Sequence, residues 1–113
     1  MSIRQKKVAR EIQRDLAVIL NQMAPKILGK EIITLIDVEV SPDLSIAKCY
    51  IGFMNSDDKK LSLDTVEFHA KEIRKIFASG PGRSMKKVPE FRFYLDTSMD
   101  HAERIDKLLK NLK

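Results

Sequence analysis

Residues 62–95 read SLDTVEFHAKEIRKIFASGPGRSMKKVPEFRFYL, and the reading of this stretch decides the architecture of the chain. Val66, Ala70, Ile73 and Phe77 recur at helical spacing, so they share the inward side of an α-helix whose start Ser62 is placed to cap. Ala78-Ser79-Gly80-Pro81-Gly82 interrupts that helix. Gly80 suits the left-handed residue just past a helix end, and Pro81 suits the first turn of a new short helix reaching Met85. Pro89 then precedes Phe91, Phe93 and Leu95, which alternate with Arg92 and Tyr94. That is a strand, and its leading proline marks it as starting at a sheet margin.

Upstream, Val8, Ile12, Leu16, Ile19 and Met23 form one apolar stripe of a helix over residues 2–23, and Pro25 and Gly29 end the pattern. Helical geometry sets Lys7, Arg10 and Arg14 nearly opposite the stripe. Over residues 31–40, Ile36, Val38 and Val40 alternate with Asp37 and Glu39. Ser41-Pro42-Asp43-Leu44-Ser45 is a turn. In residues 46–53, Ala47, Cys49, Ile51 and Phe53 share a side, so the two strands form a hairpin with a common core face. Asn55-Ser56-Asp57-Asp58-Lys59-Lys60 is a polar loop. Asp96-Thr97-Ser98 opens a final helix, over about residues 98–112, with Ile105, Leu108, Leu109 and Leu112 on its apolar side. The order is αββααβ plus a terminal helix, an α+β class.

A chain of 113 residues has apolar surface for one core, so a single domain over residues 1–113 is expected. No apolar run approaches a membrane span and no signal-peptide pattern follows the basic start, so the chain is read as soluble and unexported. Cys49, the single cysteine, has no disulfide partner and packs on the inward strand face.

The net charge is +5, and its distribution says more than its size. Residues 1–23 hold five basic and two acidic side chains, and residues 71–92 hold seven basic and two acidic. Residues 31–47 carry Glu31, Asp37, Glu39 and Asp43 with no Lys or Arg. An isolated basic helix stripe is ordinarily a solvated face, but a second cluster flanking the kink turns the reading toward a polyanion. The candidate contacts are Arg4, Lys7, Arg10 and Arg14 in the first helix, and Arg74, Lys75, Ser79, Gly80, Arg83, Lys86, Lys87 and Arg92 around the kink and third strand. Backbone NH groups at the helix start after Gly80 would add an anion site.

Enzymatic readings have little support. His69 and His101 lack metal-ligand spacing, Asp57, Asp58, Asp96 and Asp100 serve as loop and cap residues, and there is no phosphate-binding glycine loop, nucleophile elbow or zinc signature. No cofactor or metal is expected. Phe68 and Tyr94 fall off the core faces; partial burial under the last helix is the plainer expectation, base stacking the sharper one.

The αββααβ order with a break between its central helices is that of a type II KH domain, a fold that clamps single-stranded nucleic acid at the break. More specific strings are residues 4–20, Val40-Ser41-Pro42-Asp43-Leu44 followed by Ala47, Tyr50 and Ile51, the Ile73-Arg74 pair, Val88-Pro89-Glu90-Phe91-Arg92-Phe93, and Asp96-Thr97-Ser98 followed by Arg104-Ile105. In that order and spacing they resemble the ribosome-binding factor A family over nearly the whole chain. The resemblance implies a cytoplasmic, monomeric factor without a catalytic step. It would bind 16S ribosomal RNA in the immature 30S small ribosomal subunit, assist maturation, and matter most in the cold. It also implies an Ala-x-Gly kink in place of the usual KH glycine loop, matched to Ala78-Ser79-Gly80; Gly82, which adds flexibility after the kink, is a departure from the family pattern. A general single-stranded RNA- or DNA-binding KH-like module is the alternative.

Overall fold

The computed structural model describes residues 1–96, so the expected helix over residues 98–112 lies outside the described residues. The elements are α1 (Ile3–Ile27), β1 (Ile32–Val40), β2 (Ile46–Met54), α2 (Lys59–Phe68), α3 (Ala70–Ser79), a 3-10 turn (Pro81–Ser84) and β3 (Glu90–Leu95). The three strands form one sheet in the order β1-β2-β3, with β1 antiparallel and β3 parallel to β2. The parallel step requires a long crossover, and α2 and α3 provide it.

Helix α1 starts in a capping box: the Gln5 backbone N–H donates to Ser2 Oγ, and the Ser2 N–H donates to Gln5 Oε1. It also runs past Pro25 to Ile27, contrary to the expectation that Pro25 stops it. Pro25 stands in the last turn with its ring exposed, so the missing N–H disturbs only the helix end. Gly29, at φ +67°, is the residue that ends the helix, and Leu28 closes onto the Ala24 carbonyl at 2.8 Å.

In β1 the register shifts between Leu35 and Asp37. Ile36 therefore sits at a bulge, and Ile33 joins Val38 and Val40 in the core in its place. Cross-strand partners share a face, so Ile33 and Phe53, Val38 with Cys49 and Phe93, and Val40 with Ala47 and Phe91 all point the same way. Against them pack Ile12, Leu16 and Leu20 of α1, Val66 of α2, and Ile73 and Phe77 of α3, in one cluster. All three helices thus cover one face of the sheet. The other face carries Glu39, Lys48, Tyr50, Arg92 and Tyr94, with the two tyrosine rings 5.7 Å apart.

Both sheet edges are capped by side chains. Gln5 Nε2 donates to the Val40 carbonyl at 2.8 Å and Gln13 Nε2 to the Ile36 carbonyl at 3.2 Å, while Glu67 Oε1 accepts the Phe93 N–H at 3.0 Å.

The central helices differ from expectation in three ways. Asp58, not Ser62, caps α2, accepting the Leu61 N–H at 3.1 Å. Ser62 is buried one turn inside, its hydroxyl donating to Glu31 Oε2 at 2.7 Å. The break between the helices falls at His69, which closes α2 through its N–H to the Val66 carbonyl and opens α3, and not at Ala78-Ser79-Gly80. The apolar spacing continues through the break, so the sequence reads as one uninterrupted helix there. Ala78-Ser79-Gly80 instead ends α3. Gly80 has φ −117°, outside the left-handed region, and leads into a single 3-10 turn too short to present a helix start.

Candidate nucleic-acid interface

The first basic row stands on α1. Its buried positions fix which side faces the sheet, so Lys7, Arg10 and Arg14 emerge on the opposite side and are exposed, as is Arg4. The row from Arg4 to Arg14 spans about 15 Å along the helix. Arg14 is partly neutralised: its Nε lies 3.2 Å from Asp15 Oδ1, and that hydrogen bond and charge raise its pKa. Lys6 joins Ile3, Lys7, Arg10, Glu11 and Arg14 along a shallow depression, a position that helical spacing alone did not single out.

The second cluster is built around a clasp. Arg74 on α3 donates from Nε to the Pro89 carbonyl at 3.1 Å and from Nη2 to the Val88 carbonyl at 2.8 Å. This ties the segment carrying Lys86 and Lys87 to the helix. Arg74 is therefore a positioning residue with its donors partly committed. Lys75, Arg83, Lys86 and Lys87 are exposed and form no ion pair with another described side chain. Ser79 is exposed, but its hydroxyl turns back to the Lys75 carbonyl at 2.9 Å, and Gly80 lies beside it at the surface. Gly82 is buried, and a Cβ there would stand 2.5 Å from Phe77 Cε1, so it serves packing and not flexibility.

Two contacts gather these clusters at one end of the domain. The Gln5 bond to Val40 docks the start of α1 beside the β1–β2 turn. The Glu90 N–H donates to the Ser45 carbonyl of that turn at 2.9 Å, which sets the end of the 85–89 segment beside it. The pKa of the Asp43 carboxyl there is lowered to about 2, first by hydrogen bonds from Ser45 and Ser41 and also by the charge of Lys87. The turn thus borders the start of α1 on one side and the 85–89 segment on the other. Since α1 and α3 also pack against each other on the same sheet face, their outer sides look away from the sheet together.

Arg92 does not belong to this surface. Parallel pairing places it beside Lys48 on the opposite face of the sheet, with Nη2 3.7 Å from Glu90 Oε2. Two residues join the surface in its stead. Lys71, one turn before Lys75, borders a cleft with Ser45, Ala70, Arg74, Glu90 and Phe91, and Phe68 stands exposed at the end of α2, three residues before it. The α3 lysines were legible as an i, i+4 pair, and Phe68 falls off the core face as its spacing implied, but at 84% exposure it is not partly buried as expected.

No group of three or more His, Cys, Asp or Glu among the described residues could hold a metal ion. Nor is any helix among them long and apolar enough to cross a membrane. His69 Nδ1 lies 3.1 Å from Glu72 Oε2. The Cys49 thiol is pushed up to about 12, chiefly by burial, which makes it an inert core group.

Comparison with known proteins gives this arrangement a context. The family model for ribosome-binding factor A matches residues 4–109. The chain belongs to the ribosome-binding factor A family. A ribosome-binding factor A of Chlorobium phaeobacteroides is 39% identical over 116 residues, covering 100% of this chain and 97% of that relative. Among solved structures, a putative ribosome-binding factor A of Thermotoga maritima superposes with TM-score 0.66 at 25% identity, over 83% of this chain and 88% of that one. A homology model of the Thermus thermophilus ribosome-binding factor A, as fitted into the cryo-EM map of a 30S complex, superposes with TM-score 0.62 at 17% identity, over 79% of this chain and 91% of that one. The α+β order found here is that of the ribosome-binding factor A fold.

Proposed function

We propose that this ribosome-binding factor A family member is a cytoplasmic, non-catalytic factor that binds 16S ribosomal RNA in the immature 30S subunit. It holds one conformation of that RNA until maturation is complete, most consequentially in the cold. The observation that carries the reading is the meeting of the start of the α1 cation row and the segment before β3 at the β1–β2 turn, through the Gln5–Val40 and Glu90–Ser45 bonds, with the Arg74 clasp tying that segment to α3. Family membership and the fitting of the Thermus neighbour into a 30S complex support the choice of partner.

Such a surface meets phosphates and counterions first. If about five phosphates are engaged, log affinity falls against log salt with a slope of about −4. Binding can bias the RNA only as far as the two RNA states are bound unequally. Immature subunits should therefore be held more tightly than mature ones and than arbitrary oligonucleotides.

The test is sedimentation of lysates from cells lacking the protein, grown cold. Loss of mature 30S particles with accumulation of precursor 16S RNA is the expected result. Normal mature 30S levels, or equal affinity for random single strands and immature subunits, would overturn the reading.

A further inference from the structure

Phe68 ends α2 with 84% of its surface exposed, more than any other aromatic side chain among the described residues. A phenylalanine in water forgoes one of the largest burial gains a side chain can make. The helix pair has no packing need for it, since Val66 and Ile73 supply the core contacts on either side of the break. Its ring meets that of His69 edge to face, centroids 5.2 Å apart and planes at 85°, and His69 is itself tied to Glu72. The aromatic is thus braced at the break with its surface open.

The charges around it are sorted. Glu67 accepts the Phe93 N–H, Glu72 lies 3.1 Å from His69 Nδ1 and Glu90 lies 3.7 Å from Arg92, while Asp64, one turn before Phe68, is exposed. Lys71 and Lys75, one and two turns further on, have no ion pair with another described side chain. In the other direction along α2, exposed Leu61 borders a depression lined by Glu31, Asp57 and Asp58, which would repel a phosphate chain. An exposed π surface with lysines free of described ion pairs toward α3, and carboxylates gathered toward the start of α2, fits an unpaired nucleotide, the base on the ring and the phosphate toward α3.

We propose that Phe68 is a base-stacking residue for an unpaired nucleotide of the bound RNA, with Lys71 meeting an adjoining phosphate. This rests on the RNA-binding reading above and deepens it, because stacking adds a grip on the base that releases no counterions.

The chain contains no tryptophan, so Phe68→Trp installs a single fluorophore in the full-length protein. Its emission should be quenched when protein-free 16S RNA is added. Phe68→Leu should bind both that RNA and immature 30S subunits at least about five-fold more weakly, with an unchanged salt slope and melting temperature. Unchanged affinity, or unquenched emission while the wild-type chain binds, overturns the proposal. A loss confined to whole subunits, with RNA affinity intact, assigns the ring to a ribosomal protein and also overturns it. If the wild-type chain binds neither probe, the RNA reading fails and stacking falls with it.

Discussion

Gly82 illustrates how one residue type carries two readings. In the string Gly80-Pro81-Gly82 it is punctuation and suggests looseness, whereas in the fold it seats the 3-10 turn against the buried ring of Phe77. That ring cannot swing freely, because it packs edge to face on Phe91 at 5.3 Å. Gly82→Ala should therefore destabilise by about 1–3 kcal/mol, seen as a melting temperature lower by roughly 4–8 °C per kcal/mol. An unchanged midpoint would mean that the ring yields. Gly80→Ala should be milder, since its Cβ would meet only the Ile76 carbonyl at 3.3 Å. Composition could not separate these glycines; only the distance to Phe77 does. The same limit applies to Arg92, whose charge joined the cluster in sequence while strand pairing turned it to the far side of the sheet.

Among the elements, periodicity recovered what depended on burial alone and missed what depended on long-range polar contacts. The stripe of α1, the hairpin and the alternation of Phe91 and Phe93 all reappear as core. The break at His69 did not show, because Val66, Ile73 and Phe77 keep helical phase across it and no glycine or proline marks it. Nor did the edge caps Gln5, Gln13 and Glu67, whose acceptors and donors lie 23 to 35 residues away. Arg74 belongs to the same class, read as a phosphate contact but employed as a strap on the segment before β3. Arg74→Ala should speed amide hydrogen exchange over residues 86–88 and weaken subunit binding several-fold without reducing the salt slope. Arg74→Lys should fail to restore either, because an ammonium lacks the planar fork that reaches both carbonyls. A reduced slope in Arg74→Ala would instead make this guanidinium a direct phosphate contact.

For the molecule as a whole, the proposed surface differs in membership from the one read in the sequence. Arg4, Lys7 and Arg10 on α1, and Lys75, Arg83, Lys86 and Lys87 beyond the break, are exposed and without described ion-pair partners. Arg14 is shared with Asp15, Lys6 and Lys71 are additions, and Phe68 already carried a stacking reading in the sequence. Sequence could place charge on each helix, but which helices are neighbours depended on the crossover that sets β3 parallel beside β2. Of the acidic residues 31–47, Glu39 lies on the uncovered face of the sheet, and Asp37 at the β1 edge borders a depression with Lys6 and Arg10. Asp43 is held in its turn by Ser41 and Ser45 near Lys87.

The decisive measurement is the affinity for immature 30S subunits, at two or more salt concentrations, of Lys7→Glu/Arg10→Glu, Lys86→Glu/Lys87→Glu and the quadruple variant. If both clusters line one docking surface, each pair should weaken binding by about ten-fold or more at low salt and flatten the salt slope by about 1–2. All three variants should keep the wild-type melting temperature. Full affinity in either pair variant, with the fold intact, would contradict a shared surface.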